Sequence, residues 1–133
     1  MAFDNYLIMV GSYTIPNKYI KYDSWSSTYE TLDFDSYRDA NGLLHRNALA
    51  DRKLKVEFST PYMRKSDWDA LMTGIRGQFI SSTEQSANVK AYIDEIGDYV
   101  TQKCYLVNVN PKIAQNSPTG IIYQPTRICF IAY

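Results

Sequence analysis

Apolar and polar residues alternate most regularly at residues 53–59, where Leu54, Val56 and Phe58 are separated by charged or polar side chains. A period of two is typical of a β-strand that buries one face and exposes the other. Residues 89–93 repeat the pattern, with apolar side chains at the odd positions. Both segments therefore predict strands that pack one face on a core.

Two later segments are predicted as strands on other grounds. Residues 99–109 form a long run rich in valine and tyrosine, which favour strands. Residues 126–133 are apolar on both faces. A strand of that kind is expected at the centre of a sheet or against a neighbouring subunit.

Turn signals separate the remaining elements. Gly11-Ser12 lies between the β-prone residues 6–10 and 13–15, which predicts a two-residue hairpin turn of type II′. Pro16 ends the second strand, because proline cannot donate a hydrogen bond to a ladder. A second turn is predicted at Asn41-Gly42, since both residues tolerate a positive φ.

One amphipathic helix is predicted over about residues 66–79. Ser66 is placed as its N-cap, and Asp69 is placed as the partner of Ser66 in a capping box. Apolar side chains then recur at helical spacing on one face, which is typical of a helix packed on a core. These side chains are Trp68, Leu71, Met72, Ile75 and Phe79.

The remaining polar segments are residues 17–36, interpreted as an extended arm or irregular strand, and residues 111–120, interpreted as an exposed loop. At 133 residues the chain is predicted to form one domain, residues 1–133. The sequence therefore predicts a β-rich α+β fold. We expect an antiparallel β-sandwich or barrel of about six or seven strands with one flanking α-helix.

Charge and composition narrow the range of partners. The chain carries 14 basic and 14 acidic residues, so its formal net charge is zero. With no basic excess, neither specific nucleic-acid binding nor a membrane partner is predicted. The start of the chain lacks the basic region of a signal peptide, and no apolar run approaches the roughly 20 residues that span a bilayer. Twelve tyrosines leave two interpretations open, half-buried sheet faces or extensive self-association.

Residues that could carry chemistry are few. His45 is the only histidine, and Cys104 and Cys129 lie in apolar strand-like runs, where free buried thiols are expected. The carboxylates read as turn and cap residues, and a small hydrolase built on them is the weakest of the functions considered. We therefore predict no enzyme, no catalytic residue, no cofactor and no metal site.

Several short segments occur in a recognisable order. A hairpin around a glycine at residues 8–16 is followed by the sequence DANGLLHR at residues 39–46, a strand, and a helix with Trp68 near its start. Residues 90–94 then form a strand with a central tyrosine, and a closing sheet follows. In this order the elements resemble the small tail structural proteins of long-tailed bacteriophages and prophages, the tail-tube and tube-end proteins.

The resemblance implies a non-enzymatic virion protein that is made in the cytoplasm of the host bacterium and resides in the phage tail. It implies self-assembly into a homo-oligomeric ring or tube, with a hexamer as the candidate ring, and contacts with other tail proteins. A long loop typical of tube-stacking subunits is not evident. The position in the tail (tube, terminator or distal end) therefore stays open.

Ring formation would pair sheet edges between subunits. A mobile arm at residues 17–37 and a mobile loop at residues 111–120 are expected to become ordered when subunits meet. The predicted interface residues are aromatic, because aromatic side chains often anchor interfaces. They are Trp25, Tyr29, Tyr37 and Tyr123.

The competing hypothesis is a monomeric β-barrel binding module whose tyrosines contact a carbohydrate or a peptide. Such a module would bind its ligand saturably without oligomerising, whereas a tail protein would assemble without any ligand.

Overall fold

The computed structural model describes residues 3–31, 37–46 and 52–133. Within these residues the chain forms twelve β-strands, one α-helix and one short 3₁₀ helix. A seven-stranded antiparallel sheet, here the large sheet, makes up most of the molecule. Its strands are β1 Ile8–Val10, β2 Tyr13–Thr14, β3 Ser26–Glu30, β6 Lys53–Ser59, β8 Ser86–Ile93, β9 Asp98–Leu106 and β12 Arg127–Ala132.

The other elements form two smaller sheets and the helices. Their strands are β4 Tyr37–Arg38, β5 Leu44–His45, β7 Met63–Arg64, β10 Ile113–Ser117 and β11 Gly120–Tyr123. The three-stranded small sheet has the order β10–β11–β7, and β4 pairs with β5 in a separate hairpin. The α-helix α1 spans Lys65–Arg76, and the 3₁₀ helix spans Asn17–Tyr19.

The large sheet is open, with the strand order β2–β1–β8–β9–β12–β6–β3. It nevertheless curls so far that β3 lies beside β8, and the Ser27 hydroxyl on β3 donates to the Tyr92 carbonyl on β8 over 2.7 Å. The structure confirms the predicted β-rich α+β fold with one helix. Of the two architectures predicted, the sheets form the sandwich and not a closed barrel. The large sheet alone has the six or seven strands expected, and the smaller sheets raise the total.

The core lies between the curled sheet and the helix. Leu54, Val56 and Phe58 of β6 are buried as the alternation predicted, and the strand bounds match residues 53–59. The helix buries its predicted apolar face, including Trp68 and Leu71. Complete burial of each such side chain stabilises the fold by about 1.5–3 kcal/mol.

Strand β12 occupies the central position that its two apolar faces predicted. Phe130 pairs with Leu106 of β9 on one side and with Val56 of β6 on the other. Ile128 and Phe130 are fully buried on the core face, whereas Cys129 is buried on the opposite face.

The predicted hairpins are also present. Val10 pairs with Tyr13 across Gly11-Ser12, and Gly11 has φ +57 while Ser12 does not take a positive φ, as a type II′ turn requires. Gly42 has φ +79 in the turn between β4 and β5. Residues 47–51 lie outside the described residues.

The predicted helix is confirmed, with bounds that differ by one residue at its start and three at its end, but the predicted capping box is wrong. The helix begins one residue earlier than predicted, at Lys65, and its N-cap is Arg64. Within the described residues, no side-chain hydrogen bond caps this end of the helix. Ser66 therefore lies inside the first turn, and Asp69 forms an ion pair of 2.6 Å with Lys65. The helix ends at Arg76, so Phe79 packs against the core from beyond the helix.

The segment at residues 111–120 is not a loop throughout. Residues Ile113–Ser117 form β10, and Pro118 and Thr119 make the turn into β11. The polar composition of β10 suggested a loop because this edge strand is exposed on both faces. Without a buried face, apolar and polar residues do not alternate along it. Within residues 17–37, the 3₁₀ helix and β3 belong to the folded body, and residues 32–36 lie outside the described residues. The mobility expected of both segments stays a prediction.

Candidate assembly surfaces

Trp25 and Tyr29 lie at the β3 edge of the large sheet and are half-buried. The Trp25 ring packs 6.0 Å from the Phe58 ring centroid, and the Arg52 guanidinium lies 4.7 Å from the Tyr29 ring centroid. Both rings therefore support the core, and the indole N–H of Trp25 is buried without a partner among the described residues. Only part of each ring is available to a partner.

Tyr123 lies on the small sheet, far along the chain from this edge. It is half-buried, and its ring lies 5.6 Å from the Trp68 ring of the helix. Tyr123 thereby connects β11 to α1. Among the described residues, no ring contact joins Tyr123 to Trp25 or Tyr29.

Tyr37 is the most exposed of the four predicted interface residues, at 57%. It begins the β4–β5 hairpin, and its ring stacks on the His45 ring at 4.8 Å and 9°. Leu43 and Leu44, which are 63% and 46% exposed, lie on the same hairpin. The hairpin thus presents large apolar side chains to solvent, which is typical of a contact surface.

Asp39 holds this hairpin in shape. Its carboxylate accepts hydrogen bonds from the backbone N–H groups of Asn41 and Leu43 at 2.9 and 3.0 Å. The same carboxylate pairs with His45 Nε2 at 2.9 Å. The bond with His45, and then the bond from Leu43, hold the pKa of Asp39 below its ordinary value. A two-stranded ribbon is marginal alone in water, and these bonds stabilise it.

A cluster of rings on the outer face of the large sheet was not identified from the sequence. Tyr6 stacks on Tyr99 at 4.8 Å, and Tyr92 meets Tyr99 edge-on at 5.4 Å. Phe3 extends the cluster, and Lys90 lies 5.3 Å from the Tyr99 ring centroid. The sequence feature that could have identified this cluster is the alternation of β8. Lys90 and Tyr92 occupy the positions that face away from the core, and Tyr92 lies opposite Tyr99 of β9.

A second pair of rings lies on the same face. Tyr105 and Tyr133 meet edge-on at 5.7 Å, and the Tyr133 hydroxyl donates to Glu84 over 2.7 Å. This bond, and then burial, raise the pKa of Tyr133. These tyrosines therefore lie on a sheet face, as the first interpretation of the tyrosine number proposed, and self-association stays a prediction.

The edge strands of the sheets were also not identified from the sequence. Strands β2 and β3 end the large sheet, β7 and β10 end the small sheet, and β4 and β5 pair only with each other. An edge strand presents unpaired N–H and C=O groups that can pair with another chain. Two of these edges, β3 and β10, fall within the segments for which subunit contacts were predicted.

The groups that could carry chemistry are engaged in structure. Burial, and then the Cys129 thiol, raise the pKa of the Cys104 thiol to about 12. Burial also raises the pKa of Cys129. Raised pKa values make thiols poor nucleophiles at neutral pH. Both thiols are free, as expected.

Two surface clefts are open to solvent. One, of about 380 Å³, lies between the start of α1 and the β10–β11 hairpin, with Arg64 and Lys65 among its lining. The other is polar and lies beside β3, lined by Lys21, Asp23 and Glu57 among others.

In residues 3–31, 37–46 and 52–133, no three His, Cys, Asp or Glu side chains are grouped as metal ligands. The same part of the chain contains no helix with the length and apolarity that crossing a bilayer requires.

Comparison with solved structures extends over the whole chain. One similar chain belongs to a structure described as the tail of an empty GTA particle, computed with helical refinement in C6 symmetry. The TM-score is 0.51 and the sequence identity is 15%, and the match covers 100% of this chain and 94% of that chain. A chain in the sheath/tube terminator of an extracellular contractile injection system, PVC, in the extended state, has a TM-score of 0.33 and 14% identity, covering 100% and 92%. The second likeness supports no conclusion at that score.

The first likeness shows a shared fold. The resemblance to small tail structural proteins is thus confirmed at the level of the fold. No curated protein sequence matches the chain. The sequence profile of a family of unknown function, DUF6711, matches residues 1–133, and the chain belongs to that family.

Proposed function

We propose that this protein is a non-enzymatic structural component of a phage tail and assembles with copies of itself into a ring or tube. The observation that carries the proposal is the fold that it shares, along its whole length, with a chain of the GTA tail. That structure is described with C6 symmetry, which makes a hexamer the first ring order to test.

The surfaces of the molecule support this proposal. The β4–β5 hairpin exposes Tyr37, Leu43 and Leu44, and strand β10 is a sheet edge. Exposed apolar side chains and unpaired strand edges both gain stability when another subunit covers them. Other tail proteins are the expected neighbours of the assembly, in the virion tail.

Light scattering coupled to size-exclusion chromatography tests the proposal over a concentration series, with negative-stain imaging of any large species. We expect discrete particles of several copies, with a ring or tube outline, in the absence of any added ligand. A protein that stays monomeric from micromolar to millimolar concentration contradicts self-assembly.

The alternative is a monomeric module that binds a carbohydrate or a peptide. The rings of Tyr6, Tyr92 and Tyr99 on the outer face favour it, because aromatic faces also bind sugars. The same samples discriminate the two functions when they are titrated with a glycan library. Saturable binding by a monomer supports the module, whereas assembly without a ligand supports the tail component.

A further inference from the structure

The turn between β8 and β9, residues 94–97, presents an isoleucine to solvent. The side chain of Ile96 is 46% exposed. Two backbone bonds hold the turn, because the N–H groups of Ile96 and Gly97 both donate to the Ile93 carbonyl, over 3.3 and 2.9 Å. Gly97 completes the turn with φ +64. The backbone of the turn therefore holds Ile96 at the surface in one position.

The same turn carries an excess of negative charge. Glu95 is bound by the Arg52 guanidinium at 3.0 and 2.8 Å, and the Asp98 carboxylate accepts a bond of 2.8 Å from the Tyr99 N–H. Asp94 is exposed, and its carboxylate has no ion-pair or hydrogen-bond partner among the described residues. The turn thus presents one free carboxylate close to an exposed isoleucine.

The cleft between the start of α1 and the β10–β11 hairpin has the opposite charge. Its volume is about 380 Å³, and the described residues that line it include two basic residues and no acidic one. Lys65 is already paired with Asp69 at 2.6 Å, whereas Arg64 is exposed and has no ion-pair partner in the described part of the chain. Ile121 and Ile122 of β11 are half-buried and also line the cleft. The cleft therefore offers one free guanidinium beside apolar side chains.

The turn and the cleft lie at opposite ends of the large sheet. Strand β9 leaves the turn at Asp98 and ends at Leu106, and the chain then enters the small sheet. A strand of nine residues extends roughly 30 Å. Strand β6 has the same arrangement, since Arg52 before its start binds Glu95 of the turn, and β7 beside the cleft follows its end. One subunit cannot place its own turn in its own cleft, because the length of the sheet separates them.

We propose that the β8–β9 turn of one copy docks in this cleft of the next copy. Ile96 then contacts Ile121 and Ile122. The Asp94 carboxylate pairs with the Arg64 guanidinium, whose planar fork of donors matches a carboxylate. The contact removes apolar surface from water and gives both free charges a partner.

This inference rests on the proposed function, because a ring or tube needs a head-to-tail interface in which two different surfaces meet. Each copy carries one turn and one cleft, so every contact uses one surface of each kind. Surfaces at opposite ends of a subunit join copies in a row, and the rotation between neighbours decides whether the row closes as a ring or continues as a tube.

Reversing one charge on either surface tests the docking. Arg64→Glu opposes two acidic side chains in the contact, and Asp94→Lys opposes two basic ones. We expect each variant alone to need a protein concentration at least about tenfold higher than the wild type for assembly, measured by light scattering, because opposed like charges disfavour a contact. Lys18→Glu is the matched control, since this exposed lysine lies outside the lining of the cleft. Assembly of either test variant at the wild-type concentration overturns the inference.

Combining the two reversals makes the test specific. The double variant again has opposite charges in the contact, with acid and base exchanged between the two surfaces. We expect it to assemble near the wild-type concentration, although each single change weakens assembly. An equimolar mixture of the two single variants is also expected to assemble, because each turn then meets a cleft of opposite charge. A double variant that assembles no better than the single variants contradicts the pairing of Asp94 with Arg64.

Ile96→Ser tests the apolar part of the contact. Ile80→Ser is the matched control, because Ile80 is 60% exposed and is not among the described residues that line the cleft. We expect the serine at position 96 to weaken assembly and the serine at position 80 to leave it unchanged. Equal assembly of these two variants overturns the contact proposed for Ile96.

The wild-type protein separates the inference from the proposed function. If the wild type and both charge variants assemble alike, the docking is wrong and the proposed function stands. If the wild type stays monomeric, both are contradicted. Urea denaturation of the dilute variants is expected to give the wild-type midpoint, because Arg64 and Asp94 are exposed in the monomer. A loss of assembly at an unchanged midpoint therefore supports a direct effect on the contact.

Discussion

Gln102 completes the large sheet on the side of Leu54 that faces away from β3, where no strand pairs with Leu54. The Leu54 N–H donates to Gln102 Oε1 over 2.9 Å, and Gln102 Nε2 donates to the Arg52 carbonyl over 2.7 Å. The paired part of β12 ends opposite Lys55, so its ladder does not reach these groups. One side-chain amide thus replaces both a donor and an acceptor of a missing strand.

We expect Gln102→Ala to lower the free energy of unfolding by about 1–3 kcal/mol. The substitution leaves the Leu54 N–H and the Arg52 carbonyl without partners near the core, and an unsatisfied buried group costs about that much. Urea denaturation followed by tryptophan fluorescence measures the change. Gln124→Ala is the control, because in the described part of the chain that exposed side chain makes one long hydrogen bond, of 3.4 Å to the Ile113 carbonyl. Equal stability of the two variants would contradict this role of Gln102.

Gly74 is predicted to be necessary for the fit of the helix on Tyr13. A Cβ at position 74 would lie 2.5 Å from the Tyr13 ring, closer than real contacts permit. Gly74→Ala should therefore destabilise the protein by about 1–3 kcal/mol, as overpacking does, although alanine favours helices.

The sign of this effect is expected to reverse when the ring is removed. In a Tyr13→Ala background, Gly74→Ala should stabilise the protein by up to about 1 kcal/mol, because only the helix propensity then differs. Thermal unfolding of the four proteins gives the comparison. The same destabilisation in both backgrounds would show that Tyr13 is not the cause.

The sequence predicted those elements whose patterns arise from burial. Strand β6 was predicted with its bounds, since each of its apolar residues is buried in the core and each polar residue lies on the opposite face. Strand β10 has no buried face, and its polar residues were therefore taken for a loop. The capping box failed because Ser66 was a plausible cap by type, whereas the helix already begins at Lys65 in continuation of β7.

The interface residues stay a prediction, and their exposure could not be predicted from the sequence. Trp25, Tyr29 and Tyr123 were chosen because aromatic side chains anchor interfaces, and all three also pack on core residues of the same subunit. The exposure of an aromatic ring depends on which strands and helices pack over it, and this packing is set by the tertiary structure. Edge status is likewise a property of strand order in the whole sheet, and no local pattern in β3 indicates it.

The two thiols are predicted to be inert in the native protein. Cys104 faces the core and Cys129 faces the other side of the sheet, so a disulfide between them would need the strands to separate. Burial raises the pKa of both thiols, and to about 12 for Cys104. We expect no labelling by iodoacetamide at pH 8 until denaturant is added, and two labels afterwards by mass spectrometry. Rapid labelling of the native protein would contradict the described burial.

The β4–β5 hairpin is predicted to lose stability in acid. Because the pKa of Asp39 is lowered in the folded state, its ionised form stabilises the hairpin above the ordinary aspartate pKa. That contribution disappears as the pH falls through the lowered folded value. NMR titration of the Asp39 carboxyl should give a higher pKa in His45→Ala than in the wild type, since the bond with His45 is the largest cause of the shift. An unchanged titration curve would show that the imidazole does not hold the carboxylate.

Tyr37 and Trp25 are predicted to act in different ways, although both were selected as aromatic interface residues. Tyr37→Ala removes an exposed ring, so we expect the free energy of unfolding to change by less than about 0.5 kcal/mol and assembly to weaken. Trp25→Ala removes a ring that packs on Phe58, so we expect a loss of about 2–4 kcal/mol in the monomer. Urea denaturation of the dilute monomer and light scattering of the concentrated protein separate these effects. A Tyr37→Ala variant that assembles normally would remove the hairpin from the interface.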